Sequence, residues 1–62
     1  MPVIEINGPK INDLEIKRIL VKKVTESLQK AYKLPLEAYT VIINENSSEN
    51  VGVGGRLIID RK

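Results

Sequence analysis

The chain contains no cysteine and no histidine. Without cysteine no disulfide can staple it, and a structural zinc site loses both of its usual ligands. Without histidine there is no imidazole general base and no Ser–His pair, and without cysteine there is no thiolate nucleophile. Aromatic residues are nearly as scarce: Tyr32 and Tyr39 are the only two. Stacking platforms for single-stranded nucleic acid are therefore missing. The charges are mixed along the chain and sum to +2, so no basic stripe marks a nucleic-acid footprint either. No apolar run approaches the roughly 20 residues of a membrane span. Strand-like alternation starts at residue 3, which leaves no room for a signal peptide, and the expected address is the cytoplasm. In a chain that is not secreted, the glycosylation match at Asn46-Ser47-Ser48 has no consequence.

At 62 residues the chain is expected to form one domain, residues 1–62. A chain this short buries only about 60% of its unfolded surface and is marginal alone. Small chains compensate with disulfides, a metal or oligomerisation. The first two are excluded or disfavoured here, so assembly with other copies is the route left. The 42% apolar content supplies material for it.

Val3 to Asn7 alternates as a strand, with Ile4 and Ile6 facing one way and Val3, Glu5 and Asn7 the other. Gly8-Pro9 ends it. Asn12 followed by Glu15 reads as a helix start with a capping box, and Asp13 and Glu15 favour the positive end of the helix dipole. The helix should run to about Tyr32. Ile16, Ile19, Leu20, Val24, Leu28 and Ala31 recur every three or four residues and form its apolar stripe. Lys30 and Lys33 sit at the negative end, where they help. Pro35 stops the helix. Tyr39 to Glu45 is a second strand with an apolar centre on both faces, as in a strand covered from two sides. Val51 to Gly55 is a glycine-rich hairpin, and Leu57-Ile58-Ile59 can form a last short strand. The fold class is thus α/β: a β-α-β unit with parallel strands, a right-handed crossover and a C-terminal hairpin. One helix covers only one face of a two-stranded sheet. The other face calls for another copy.

Few residues carry chemistry. Glu5 and Glu45 lie on different strands and can in principle pair as two carboxylates, although strand-edge charges are usually solvated and unpaired buried ones are costly. Gly52-x-Gly54-Gly55 superficially matches a phosphate loop. Such a loop needs a helix after it, and only seven residues follow Gly55. The lysine-bearing helix face reads as solvated rather than as an anion platform. Met1-Pro2 is left. Proline is small enough for Met1 to be removed, which exposes a secondary amine at the start of a strand. Such an amine works as a base only when its pKa falls toward the working pH. An apolar wall or a nearby cation lowers it. Val3, Val51 and Val53 are candidates for the wall and Lys10 for the cation. The plain alternative is that Pro2 simply starts a strand, where its missing N–H is harmless.

The whole pattern resembles the 4-oxalocrotonate tautomerase family. The resemblance runs through Met1-Pro2-Val3-Ile4, Leu34-Pro35, Val41-Ile42-Ile43 and Asn50-Val51-Gly52-Val53-Gly54-Gly55, and it covers nearly the whole chain. It implies a β-α-β subunit that pairs into a four-stranded dimer, with three dimers forming a homohexamer. It also implies enol–keto proton transfer on a small 2-oxo or 2-hydroxy-enoic acid, an isomerase activity with the amino-terminal proline, here Pro2, as general base. No metal or organic cofactor is used. Three positions depart from the family pattern. Asn12 stands where an arginine binds a substrate carboxylate. Thr40 stands where a second arginine polarises the substrate carbonyl. Val51 stands where an aromatic residue walls off the proline. Asn12 and Thr40 can still donate or accept hydrogen bonds, and Lys10, Arg56 or Arg61, from this copy or a neighbour, can meet an acidic substrate. A lysine is a point charge and does not reproduce an arginine fork. Loss of an electrophile at a developing enolate typically costs about 10²–10³ in rate.

Two other classes remain in view. A non-catalytic oligomeric domain on this scaffold uses Pro2 only as a strand start. An anion- or nucleic-acid-binding module would show binding that falls steeply with salt. The expected partners are a small acidic molecule and other copies of the chain, with neither nucleic acid nor membrane.

Overall fold

The computed structural model describes residues 1–61. Strand β1 (Val3–Gly8) is followed by helix α1 (Leu14–Tyr32), a 3-10 turn at Leu36–Ala38 and strand β2 (Thr40–Glu45). A 3-10 turn at Ser48–Asn50 leads into a hairpin of β3 (Gly52–Val53) and β4 (Arg56–Leu57), and Ile58–Asp60 forms a final 3-10 turn. β1 and β2 are parallel, in a register from Val3 beside Thr40 to Gly8 beside Glu45. β1 alternates as its sequence predicts. Ile4 and Ile6 are half-buried under α1, with Val41 and Ile43 of β2, while Val3, Glu5 and Asn7 are exposed on the bare face.

Three local expectations change. The helix cap is Asp13, not Asn12. Asp13 is extended, its Oδ1 accepts the Glu15 N–H at 2.9 Å, and the helix begins one residue later than the Asn12 capping box requires. The Glu15 side chain pairs with Arg18 instead of reaching back. The apolar stripe is narrower than its periodicity suggests. Leu20, Val24 and Leu28 face the sheet half-buried, joined by Val21, whereas Ile16 and Ile19 stay about half exposed on the flank. Ile58 and Ile59 lie in the last 3-10 turn rather than a strand: the Ile58 N–H still donates to the Val51 carbonyl at 2.8 Å in register with the hairpin, but the Ile58 carbonyl then accepts the Arg61 N–H at 3.0 Å and the chain turns away. Gly54 and Gly55 both have positive φ, 62° and 84°, as the tight connection of this hairpin requires.

Helix α1 ends on Lys33, which takes the left-handed conformation at φ 58° while its N–H closes the last turn on the Gln29 carbonyl at 2.8 Å. Glycine is the usual residue at such a position. Lys33 is the only non-glycine residue of positive φ among the described residues. Leu34 behind it is clamped from both sides. Its N–H donates to the Tyr39 phenol oxygen at 3.1 Å, and its carbonyl accepts from the Tyr39 hydroxyl at 3.3 Å and from Gln29 Nε2 at 3.2 Å.

The chain has no closed core: no described residue is fully buried. Its accessible surface is 5147 Å² at a mass of 7.0 kDa. A compact monomer of that mass exposes about 4,000 Å². The radius of gyration is 14.9 Å, against about 11 Å for a compact chain of this length. The hairpin segment leaves the end of β2 as an arm whose strands and turns pack on one another. No helix among the described residues is long and apolar enough to cross a membrane.

Candidate active site

Parallel strands separate the two ends of the subunit by the length of the sheet. Pro2 precedes β1 and is half-buried. Its carbonyl accepts the Thr40 N–H at 3.1 Å, so Thr40, exposed at the start of β2, is its immediate neighbour. The last turn of α1 and the Lys33–Tyr39 connection return the chain to this same end. Lys10 and Asn12 follow the far end of β1, about 20 Å away along the strand. Val51, Arg56 and Arg61 belong to the arm that departs from the far end of β2. One subunit therefore brings Pro2 and Thr40 together and holds Lys10 and Asn12 apart from them by the length of β1, with Val51, Arg56 and Arg61 on the arm. The Arg56 guanidinium is turned into its own arm, where Nη2 donates to the Asp60 carbonyl at 3.0 Å. Of the aliphatic residues that can wall Pro2, Val3 adjoins it and is 57% exposed, while Val51 and Val53 lie on the arm.

The two candidate carboxylates do not pair. Glu5 lies beside Ile42 and Glu45 beside Gly8, three register positions apart and on opposite faces of the sheet. Glu45 instead anchors the far end. Its Oε2 accepts the Ile11 N–H at 2.9 Å and meets Lys17 Nζ at 2.7 Å, with both side chains about a quarter exposed. These bonds tie the end of β2 to the chain entering α1. The hydrogen bond from Lys17 is the main cause that holds the Glu45 carboxyl below the ordinary carboxylate range, helped by the Ile11 amide and the charges of Lys17 and Lys10, against a smaller upward push from burial. A carboxyl whose pKa is lowered by folding stabilises the fold above its ordinary pKa. That contribution is lost as pH falls through the lowered value. Glu45→Gln is accordingly expected to unfold at a lower urea concentration than wild type at pH 7. The gap between the two should narrow as pH falls below about 4, the ordinary carboxylate range, and a gap independent of pH would contradict this assignment.

An open apolar groove runs along the seam between α1 and β1, lined by Ile4, Val24 and Leu28 with Lys23 and Ser27. It includes neither Pro2 nor any residue that the sequence suggests as a substrate ligand. The Glu45–Lys17–Ile11 knot and the Tyr39 clamp on Leu34 are not readable from the sequence. The first joins residues 34 positions apart. The second leaves one trace there, a lysine directly before Leu34-Pro35, where a helix stop favours glycine.

The family described as "Tautomerase enzyme" matches residues 2–61 of the chain. The chain belongs to the tautomerase family. Solved structures agree. The chain is 42% identical to DmpI from Archaeoglobus fulgidus, with a TM-score of 0.84 over 95% of this chain and 100% of that one. It is 30% identical to DmpI from Helicobacter pylori, with a TM-score of 0.80 over 94% and 97%. YwhB, a homologue of 4-oxalocrotonate tautomerase, matches at 28% identity with a TM-score of 0.89 over 98% and 100%. No curated protein matches the chain closely enough to add to these. The β-α-β subunit with its C-terminal hairpin is the tautomerase fold that the sequence resemblance implied.

Proposed function

We propose that the chain is an enol–keto tautomerase of the cytoplasm, in which the secondary amine of Pro2, freed by removal of Met1, carries a proton between oxygen and carbon of a small 2-oxo or 2-hydroxy-enoic acid. The observation that carries this reading is that the family match begins at Pro2 itself and spans the chain. In ketonisation the neutral amine takes the enol proton, and the ammonium then delivers it to the adjacent carbon as the carbonyl forms. The chain's own residues provide the proton carrier and its setting, and the proton transfer is written without a cofactor.

The separation of Pro2 from the other candidates supports a composite site. Pro2 and Thr40 come from one copy, and Lys10, Asn12 and Val51 from a neighbour in a homohexamer built as a trimer of dimers. The excess surface of the isolated chain supports the same reading. Val51 from a neighbour's arm would close an apolar hollow over the amine and lower its pKa.

The test is the rate of phenylenolpyruvate ketonisation by processed wild type and by Pro2→Ala. The alanine form keeps a primary amine, so a loss of roughly tenfold or more is expected rather than abolition, because a positioned base contributes 10²–10⁴ in all. Equal rates would remove Pro2 from the mechanism. A second reading, a non-catalytic oligomer on this scaffold, draws support from Asn12 and Thr40, which replace two fixed positive charges. It predicts no turnover by either protein.

A further inference from the structure

We infer that Lys33 binds the substrate carboxylate at the Pro2 end of the subunit, an assignment that rests on the tautomerase reading of Pro2. The parallel β-α-β topology sends the helix C-terminus to the end of the sheet where β1 and β2 begin. A short path leads from Lys33 to the proline: Leu34 is hydrogen-bonded to the Tyr39 phenol, Tyr39 precedes Thr40, and the Thr40 N–H is bonded to the Pro2 carbonyl. Lys10, the cation nearest the helix start, is a full strand away in the same copy.

Two features fit Lys33 for this role, and the first sets it apart from an ordinary helix-end lysine. The first is its backbone. A left-handed conformation is strained for a non-glycine residue, and strain of this kind is retained where the surroundings over-determine it, often at functional sites. Here the Gln29 carbonyl holds the Lys33 N–H, and three side-chain hydrogen bonds fix Leu34. The cation therefore stands on a rigid base. The second feature is its freedom. Lys17, Arg18 and Lys23 are engaged by Glu45, Glu15 and Glu26, whereas Lys33, like Lys30, is exposed and makes no ion pair among the described residues, which leaves its ammonium available. Compensation of the helix dipole does not account for this arrangement, because Lys30 supplies it from the last turn without strain. Lys30 lies two residues past Leu28, on the side of α1 turned from the sheet, which makes it the natural control.

The experiment compares wild type, Lys33→Met, Lys33→Gly, Lys33→Arg and Lys30→Met. Each is assayed on phenylenolpyruvate and on its methyl ester, and each is titrated with cinnamate, an unreactive carboxylate of similar shape, by NMR. Loss of one charge-assisted hydrogen bond predicts about a tenfold fall in kcat/KM on the carboxylate for Lys33→Met and Lys33→Gly. The fall should come mainly through KM, with the ester unaffected, with Lys33→Arg close to wild type and with Lys30→Met unchanged. Lys33→Gly relieves the left-handed strain, so its unfolding midpoint should match or exceed wild type, which separates lost affinity from lost folding. An unchanged carboxylate-to-ester ratio in Lys33→Met, or an equal loss in Lys30→Met, overturns the assignment. If the Pro2 reading itself fails, wild type shows no turnover and cinnamate decides. Weakened binding confined to the Met and Gly substitutions of Lys33 upholds the carboxylate site. Absent binding, or binding indifferent to Lys33, overturns it.

Discussion

Protein that retains Met1 is expected to ketonise phenylenolpyruvate about 10²–10⁴-fold more slowly than the processed form, the whole contribution of a positioned base. Met1 converts the Pro2 nitrogen into a tertiary amide, which has no basic lone pair. The change is chemical and leaves β1 intact, since the register begins at Val3 and the hydrogen bond from Thr40 goes to the Pro2 carbonyl rather than to its nitrogen. Processed and unprocessed samples, separated and identified by mass, should therefore share one oligomeric state and one unfolding midpoint while differing in rate. The processed form should also lose activity as pH falls through the pKa of its amine, because only the neutral amine accepts the enol proton. Equal turnover by the two samples would place the base elsewhere in the molecule. No histidine or cysteine is present to take the role.

Much of the subunit is readable because its signals are local. Alternation in Val3–Asn7 assigns both faces of β1 correctly, and Gly54-Gly55 supplies the two positive φ angles of the hairpin. The helix start is readable to within one residue. Asn12 and Asp13 are both good caps, and the choice between them depends on where the backbone leaves the extended region, which neither side chain declares. Ile16 and Ile19 belong to the periodic stripe, yet the chain's own sheet is too narrow to cover them. Periodicity reports that a face is apolar and says nothing about which copy buries it. Ile58-Ile59 reads as a strand from β-branched propensity, and the 3-10 turn closed by the Arg61 N–H on the Ile58 carbonyl overrides it.

The candidate site divides along the same line. That Pro2 and Thr40 adjoin follows from two parallel strands, and the sequence contains both strands. That Lys10 and Asn12 stand at the other end of the same subunit follows as well, once β1 is given its length, and Val51 lies on the arm that leaves that end. What no single sequence states is the contact between copies that would reunite them. Lys33 shows the converse. From the sequence its charge reads as dipole compensation, the correct default for a lysine at a helix end. Its left-handed backbone, and an ammonium that makes no ion pair among the described residues, come into view only in the structure.

Replacing Ile42 with aspartate is expected to dissociate the proposed oligomer and unfold the chain with it. Ile42 lies at the centre of the bare sheet face, beside Glu5 and 41% exposed in the isolated subunit. The subunit exposes about 1,100 Å² more than a compact chain of its mass, and a stable contact between two copies hides about 800 Å² per partner. If that face is covered in solution, the introduced carboxylate has no cation beside it on β1 or β2, where the neighbours are Glu5, Thr40 and Asn44. Burying an unpaired carboxylate costs several kcal/mol, while a chain of this length has roughly 3–9 kcal/mol of stability in all. The expected result is a slower-sedimenting species with loss of helical circular dichroism. Lys22→Asp, on the solvent side of α1, should leave both signals at wild-type values. If Ile42→Asp sediments and turns over like wild type, the bare face is open to water in the working protein, and the site must be completed across another surface.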